Sequence, residues 1–195
     1  MTGSIRFSLV VPMHRTALYL PALLESLGAQ RPGPYDVEFI FVDDGSPDDA
    51  ADIAERWLAA GARPGRVLRQ ENRGVSEARN AGIAAAAGDW IGFPDSDDFV
   101  GDRYLDAAAR AILADPTAVL VSTNVKWFRE SVGRVTDNHV LRRKFAAGTR
   151  VVDLDRDPRF IQTQAASAFF RRDLIFFDSQ LLSNYFLHSF IHRAH

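Results

Sequence analysis

Three aspartates are crowded directly behind an apolar run in the segment GDWIGFPDSDDF, residues 88–99. They are Asp95, Asp97 and Asp98, and carboxylates this close raise one another's pKa unless a cation or hydrogen-bond donors balance them. Helix capping uses a single carboxylate, so it does not account for three. A divalent cation such as Mg²⁺ or Mn²⁺, shared with a substrate phosphate, does account for several hard oxygen ligands on one loop.

Two other interpretations of this acidic loop fit the residues less well. An EF-hand loop that starts at Asp95 needs glycine at its sixth position, where this chain has Val100. A phosphate-transferring hydrolase would use Asp95 as a nucleophile and add a downstream lysine, but the only lysines are Lys126 and Lys144, and neither stands in a convincing motif. The sequence also lacks a Gly-rich dinucleotide fingerprint and a Walker loop.

Other acidic residues have a simpler explanation as helix caps. Ser46, Pro47 and the acids Asp48 and Asp49 predict the start of a helix, with serine as the cap and proline in the first helical position. Asp102 is likewise expected to cap the following helix rather than to bind a ligand.

The elements that must position the acidic loop alternate between strands and helices. Apolar runs predict strands at 7–11, 37–42, 67–68, 90–93 and 118–123, the first of them closed by Pro12. Helical spacing predicts helices near 20–27, 47–58, 75–87 and 105–113. This alternation indicates a mostly parallel α/β sheet covered on both faces. Ligands bind beyond the carboxyl ends of such strands, so Asp43–Asp44 and the Asp95–Asp98 loop are expected to face one site.

The bulk composition excludes several classes of protein. The 195 residues carry a net charge of −2, which gives no basic field for nucleic acid. The absence of cysteine excludes disulfides, zinc–thiolate sites and a cysteine nucleophile. The N-terminal apolar stretch is too short for a signal peptide, and no run approaches the roughly eighteen apolar residues that span a bilayer. We therefore expect a cytoplasmic protein. A peripheral position at the inner face of the membrane is compatible with this expectation.

Four segments, in order, resemble the family 2 glycosyltransferases with a GT-A fold. They are FSLVVPMHR, FIFVDDGSPDD, NRGVSEARNAGIAAAAGDWIGFPDSDDF and AFFRRDLI…FFD, and they extend from Phe7 to Asp178. The resemblance implies one Rossmann-like GT-A domain over residues 5–195. Residues 1–124 would form its nucleotide-sugar-binding half and residues 125–195 its acceptor-side half, which is a candidate for truncation.

The resemblance also implies roles for residues on the nucleotide side. Asp44 matches the aspartate that accepts a hydrogen bond from the base, and Pro12 and Asp43 support that pocket. Gly74 allows close approach of the backbone, and Arg79 matches an arginine that lies near the nucleotide. The alternative for Arg79 is a salt bridge on a helix surface.

On the diphosphate side the resemblance implies a divalent metal, Mn²⁺ or Mg²⁺. Asp97 matches the metal-facing aspartate, with Asp98 beside it, while Asp95 and Asp98 complete the motif and hold ribose or the donor sugar. The donor would be a nucleotide-sugar, most often a UDP-sugar, and the acceptor a glycan, a lipid-linked molecule or a polyol. Such a cation would stabilise negative charge on the leaving diphosphate.

The chain departs from the family pattern at two places. His14 stands in VPMHR where the family often has VPVYN, and we expect it to be tolerated rather than catalytic. Inverting members carry a Glu-Asp pair whose aspartate is the general base, but here Phe186 and Leu187 occupy those positions. Asp178 is the nearest carboxylate by sequence. Three histidines near the last residue are expected to face solvent: His188, His192 and His195.

The sequence thus supports two main hypotheses from different classes. The first is a metal-dependent, inverting glycosyltransferase that moves a sugar to an acceptor hydroxyl in cell-envelope polysaccharide synthesis. The second is a degenerate homologue that binds nucleotide-sugar but transfers little, because the Glu-Asp pair is absent. A carboxylate that reaches the acceptor would favour the first hypothesis.

Overall fold

The fold is built on a six-stranded sheet in the order β3-β2-β1-β4-β8-β5. A computed structural model describes residues 4–61, 63–124, 127–129, 134–136, 146 and 165–175 of the chain. The sheet strands are β1 (Ile5–Met13), β2 (Tyr35–Asp44), β3 (Gly65–Gln70), β4 (Trp90–Gly92), β5 (Leu120–Ser122) and β8 (Ala168–Arg171). The helices are α1 (Leu20–Gly28), α2 (Ala50–Ala60), α3 (Val75–Ala85) and α4 (Tyr104–Ala114). A separate antiparallel pair joins β6 (Trp127–Arg129) to β7 (Arg134–Thr136).

The first four strands are parallel to one another, and β8 runs antiparallel between β4 and β5. The prediction of a mostly parallel α/β sheet is confirmed. The strand β8 comes from the 125–195 half and lies between two strands of the 1–124 half. The boundary at residue 124 therefore does not divide the sheet.

Apolar residues on the two faces of the sheet form two cores. Leu9 and Phe41 belong to the core that takes its helical residues from α1, α2 and α4. Val10 and Ile40 belong to the other core, which includes Ala78 of α3. Neighbouring residues of a strand point to opposite faces, so continuous apolar strands fill both cores. The expectation of helices on both faces is confirmed.

The prediction that Pro12 closes β1 is wrong. The strand continues to Met13 and pairs with β2 over that whole length. Its pairing with β4 covers only Phe7 to Leu9, so among the described strands β1 has a neighbour on one side only at Pro12. Such an edge-like setting tolerates a residue that lacks a backbone N–H.

The predicted cap of α2 is wrong for Ser46 and Asp49, but Asp48 accepts a hydrogen bond at 3.4 Å from the first N–H of that helix, the N–H of Ala50. Helix α2 begins at Ala50, and Asp49 precedes it without a side-chain capping bond. The hydroxyl of Ser46 instead accepts a hydrogen bond from the Arg15 N–H at 2.7 Å and bonds to Asp48. Asp48 in turn accepts from the Ala17 N–H at 2.9 Å. These residues join the loops after β1 and β2.

Asp102 does not cap helix α4, which begins two residues later at Tyr104. Its carboxylate pairs with the exposed guanidinium of Arg31 at 2.6 Å.

Within the described part of the chain, no helix is long and apolar enough to cross a membrane.

Candidate active site

A cavity of about 230 Å³ lies at the carboxyl ends of β1, β2 and β4. Pro12 and His14 line it from the end of β1, and Asp44 lines it from the end of β2. Asp95 and Asp97 line it from the loop after β4. Both acidic groups therefore contribute to one cavity. The remaining lining residues are Met13, Thr16, Val75, Ala78 and Ser96.

Asp44 is a buried carboxylate with three hydrogen-bond donors around it. One of its oxygens accepts from Gln70 Nε2 at 2.7 Å and from the Arg73 N–H at 2.9 Å. The other accepts from the Gly74 N–H at 2.8 Å. A carboxylate has about four acceptor positions, so one remains for a ligand. Asp44 thus also fixes the loop that leads into α3.

Two glycines shape the loops around Asp44. Gly45 has φ of 64°, and a Cβ there would lie 2.7 Å from the Asn72 nitrogen, so glycine lets the loops after β2 and β3 touch. Gly74 precedes α3 with φ of 88° and ψ of 161°. Among the described residues, no atom lies within 4 Å of a Cβ built at Gly74, so glycine there serves the backbone conformation and leaves open space.

His14 is held in a defined orientation on the cavity wall. Its Nδ1 lies 3.1 Å from the Asp44 carbonyl oxygen and 3.1 Å from Asn72 Nδ2, and the tautomer decides which of these two contacts is a hydrogen bond. Nε2 lies 3.4 Å from the same amide nitrogen, so the ring is placed between the Asp44 carbonyl and the Asn72 amide. The histidine that replaces a family residue is therefore part of the polar wall beside Asp44.

Asp43 lies outside the cavity wall. Its carboxylate accepts a hydrogen bond from the Ser46 N–H at 2.9 Å, which closes a turn after β2. Its contact with the site is therefore indirect, through the turn that follows Asp44.

Arg79 and Asp95 form an ion pair at the edge of the cavity. Arg79 extends from α3 and is only 8% exposed, so the salt bridge expected as its alternative role is present but is buried on the arginine side rather than on a helix surface. Its Nη2 donates to Asp95 Oδ1 at 2.8 Å. Burial raises the pKa of Asp95, the charge of Arg79 lowers it, and Asp97 raises it, so that the pKa lies above its ordinary value.

Asp97 and Asp98 are exposed neighbours of that pair. Although Asp98 as a whole is exposed, partial loss of water around its carboxylate, followed by the charges of Asp95 and Asp97, raises the pKa of Asp98 to about 6. The Asp98 N–H donates to the Asp95 carbonyl at 3.1 Å, and this turn keeps the carboxylates together. The loop therefore concentrates negative charge beside the cavity.

The acidic loop fits a cation that shares its ligands with a phosphate group. In the part of the chain that the structure describes, no three His, Asp or Glu side chains form a ready-made metal cluster. Mg²⁺ in proteins is usually held by one or two carboxylates together with phosphates and water. Asp97 on the cavity wall and Asp98 beside it supply hard oxygen ligands of that kind.

The sequence did not single out several residues that the structure places in or next to the site. Gln70 and Asn72 bond to Asp44 and His14, and Thr16 lines the cavity. Gln70 is the last residue of β3 and Asn72 lies two residues beyond it, so the rule for carboxyl ends of strands would have found them. Asp178, the predicted nearest carboxylate on the acceptor side, lies outside the described residues, as do Phe186, Leu187, and the histidines at 188, 192 and 195.

Comparison with known proteins identifies the class of this chain. The family model for glycosyl transferase family 2 matches residues 8–176, and the chain belongs to that family. The minor teichoic acid biosynthesis protein GgaB of Bacillus subtilis is 31% identical over 171 residues, which cover 87% of this chain and 18% of GgaB. This chain therefore corresponds to less than a fifth of GgaB.

Solved structures share the fold. Residues 1–349 of S. aureus TarS match with a TM-score of 0.78 and 25% identity, over 92% of this chain and 52% of that fragment. The same fragment in complex with UDP-GlcNAc matches with a TM-score of 0.68 and 22% identity, over 87% of this chain and 46% of that one. This match is a likeness of fold alone. The mannosyltransferase PcManGT of Pyrobaculum calidifontis, in complex with GDP-Man and Mn²⁺, matches at 0.62 and 25%, over 87% and 45%. The GT-A fold is thus confirmed.

Proposed function

We propose that this chain transfers a sugar from a nucleotide-diphosphate donor, a UDP-sugar, to an acceptor hydroxyl, with inversion and with a divalent cation. The observation that carries the proposal is one cavity with two different walls. One wall is the polar, hydrogen-bonded group around Asp44, and the other is the acidic loop with Asp95 and Asp97. A nucleotide-sugar has the same division, with a neutral base at one end and a diphosphate at the other.

Each wall has its own task in this proposal. The remaining acceptor position of Asp44 takes a hydrogen bond from the base, while Pro12 forms the wall beside it. The open space at Gly74 lets the donor approach the backbone. Asp43 supports the turn behind this wall.

Asp97 and Asp98 hold Mn²⁺ or Mg²⁺, and Asp95 contributes to the donor-sugar side. A bound cation supplies stabilisation of the charge that develops on the leaving diphosphate. Two structural neighbours support a donor and a cation of this kind: TarS has a complex with UDP-GlcNAc, and PcManGT has one with GDP-Man and Mn²⁺.

Calorimetric titration tests the donor and the cation together. UDP and GDP are titrated into the protein with Mn²⁺, with Mg²⁺ and with EDTA. We expect UDP to bind more tightly than GDP, and at least about tenfold more tightly with a cation than with EDTA, a difference of about 1.4 kcal/mol. Equal affinity for UDP in EDTA and Mn²⁺ would exclude the cation, and preference for GDP would exclude the UDP-sugar donor.

The second candidate is a donor-binding homologue with slow transfer, because Phe186 and Leu187 replace the Glu-Asp pair. General-base assistance contributes roughly 10²–10⁴-fold, so its loss leaves slow transfer and slow donor hydrolysis. The double variant Phe186→Glu, Leu187→Asp should raise transfer without changing UDP affinity, with a melting curve to show that it folds. Transfer by the unaltered chain at a rate of many turnovers per second would contradict this candidate and make another carboxylate the base, with Asp178 the first to replace.

We further propose that residues 5–195 act as one domain, bound to the periphery of the membrane on its cytoplasmic side. The domain would take part in cell-envelope polysaccharide synthesis, and its acceptor would be a glycan, a lipid-linked molecule or a polyol. The interleaved β8 supports the single domain, and the relative GgaB, by its name a teichoic acid biosynthesis protein, supports the setting. Fractionation of cells tests the location: release from membranes by salt is expected, and release only by detergent would contradict a peripheral position.

A further inference from the structure

Arg79 contacts the candidate site through Asp95. It belongs to α3, its side chain is 10% exposed, and it is not part of the cavity wall. The wall next to it is formed by Asp95, whose Oδ1 accepts a hydrogen bond from Arg79 Nη2 at 2.8 Å. The arginine therefore contacts a carboxylate of the cavity wall without itself lining the cavity.

The position of Arg79 is fixed from the opposite wall of the cavity. Asp44 accepts the N–H of Gly74, the residue that precedes α3, and Ala78 of the same helix lines the cavity. A buried guanidinium is stable only when it is paired, because its desolvation is costly. Helix α3 is therefore bonded at its start to Asp44 on the base side, and through Arg79 to Asp95 on the acidic side.

We propose that Arg79 is a positioning residue: it sets the orientation of Asp95, and with it the acidic loop, for a diphosphate and its cation, and it does not bind the nucleotide itself. This inference rests on the proposed function and deepens it. The positive charge of Arg79 also offsets the charge of Asp95, so that Asp97 and Asp98 can face the cation together. Groups that orient ligands of a metal typically change its affinity by about 10–100-fold when they are removed.

The test separates the cation-dependent part of nucleotide binding from the rest. UDP affinity is measured by calorimetry in EDTA and in Mn²⁺, and Mn²⁺ uptake in the presence of UDP is measured by electron paramagnetic resonance. The variants are Arg79→Met, Arg79→Lys, Asp95→Asn and the double variant Arg79→Met, Asp95→Asn. The control is Arg6→Met, which removes an exposed Arg–Asp pair, with Asp89, near the opposite end of β1.

We expect Arg79→Met to reduce the gain in UDP affinity from Mn²⁺ by at least about tenfold and to leave affinity in EDTA within about twofold. Asp95→Asn should have the same effect, and the double variant should lose no more than either single change, because both act through one contact. Arg79→Lys should recover part of the gain, and Arg6→Met should lose none.

Three results would overturn the inference. An equal loss in EDTA and in Mn²⁺ would mean that Arg79 binds the nucleotide directly, and an unchanged Mn²⁺ gain would mean that it has no part in the site. If Arg79→Met does not fold, Asp95→Asn decides, since asparagine keeps a carbonyl oxygen that can accept from Arg79 Nη2 and the side chain is 39% exposed; a melting curve checks its fold, and a full Mn²⁺ gain in folded Asp95→Asn overturns the inference. If the unaltered protein binds no nucleotide under any condition, the proposed function itself fails.

Discussion

The two walls of the cavity differ in how their charges are satisfied. On the base side, the buried carboxylate of Asp44 accepts three hydrogen bonds and His14 is held by two polar neighbours. On the acidic side, Arg79 pairs with Asp95, while Asp97 and Asp98 are exposed carboxylates. The negative charges of Asp95 and Asp97 raise the pKa of Asp98, so this wall is not balanced by the protein alone. The first wall is preorganised for a neutral group, and the second is completed by a cation. The difference predicts that mutations in the first wall act on the fold and mutations in the second act on metal-dependent binding.

The largest expected effect is that of Asp44→Ala. Its loss leaves the Gln70 amide and the Arg73 and Gly74 N–H groups without their acceptor, and hydrogen bonds to a charged group contribute about 1.5–3 kcal/mol each. Because water reaches part of the opened site, we expect a loss of about 3 kcal/mol in the free energy of unfolding by urea. UDP affinity should fall in EDTA as well as in Mn²⁺. Asp44→Asn, which keeps one carbonyl acceptor, is the control and should lose less of both.

Asp97→Ala should show the opposite pattern. This side chain is exposed, no hydrogen bond to it within the described residues is lost, and its repulsion with Asp95 and Asp98 is relieved, so the urea midpoint should not fall. The gain in UDP affinity from Mn²⁺ should fall by at least about tenfold, or about 1.4 kcal/mol. Calorimetry with and without EDTA measures it. A variant that loses stability, or that loses affinity equally in EDTA, would erase the distinction between the two walls.

Gly74→Ala tests whether the base-side wall depends on backbone conformation. Nothing crowds a Cβ at this position, but φ of 88° is strained for alanine, at a cost of about 1–3 kcal/mol. We expect a loss of about 1–2 kcal/mol in urea unfolding, with weaker UDP binding in EDTA. Gly101→Ala is the matched control, because Gly101 also has open space around it and has no positive φ. Equal effects in the two variants would show that the backbone at Gly74 is unstrained.

The sequence predicted the sheet because its strands are continuous apolar runs and because its motifs resemble one family. It did not predict that β8 would lie antiparallel between β4 and β5, since the short run AFFR carries no signal for its partners or direction. The cap signals at Ser46–Pro47 were overridden by tertiary contacts, in which Ser46 and Asp48 bond to the loop after β1. Local propensity is a weak signal where two loops compete for the same side chains.

For the candidate site, the sequence predicted which residue types gather at the strand ends but not how they are connected. The rule for carboxyl ends of strands placed both acidic groups at one edge, and the structure brings Asp44, Asp95 and Asp97 to one cavity. The contact between Arg79 and Asp95 depends on the packing of α3 against the sheet, which no local pattern of residues encodes. The same is true of the orientation of His14, which is set by a carbonyl and an amide from two other loops.

The smallest expected effect concerns Asp98 and the cost of crowding in the metal-free protein. Its pKa is raised to about 6, so between its ordinary value and 6 the folded state binds more protons than the unfolded state, and stability falls as pH rises through that window. Asp98→Asn removes this cost. We expect it to raise the free energy of unfolding at about pH 7.5 by under about 1 kcal/mol, because solvent screens an exposed group, and to change it little near pH 4. Urea unfolding in EDTA at both pH values measures the difference.

With Mn²⁺ and UDP, Asp98→Asn should lower the free energy of unfolding instead of raising it, because the substitution removes a ligand of the cation and the bound form loses stability. A variant that is destabilised at pH 7.5 in EDTA would mean that the acidic wall, like the wall around Asp44, is already satisfied within the protein.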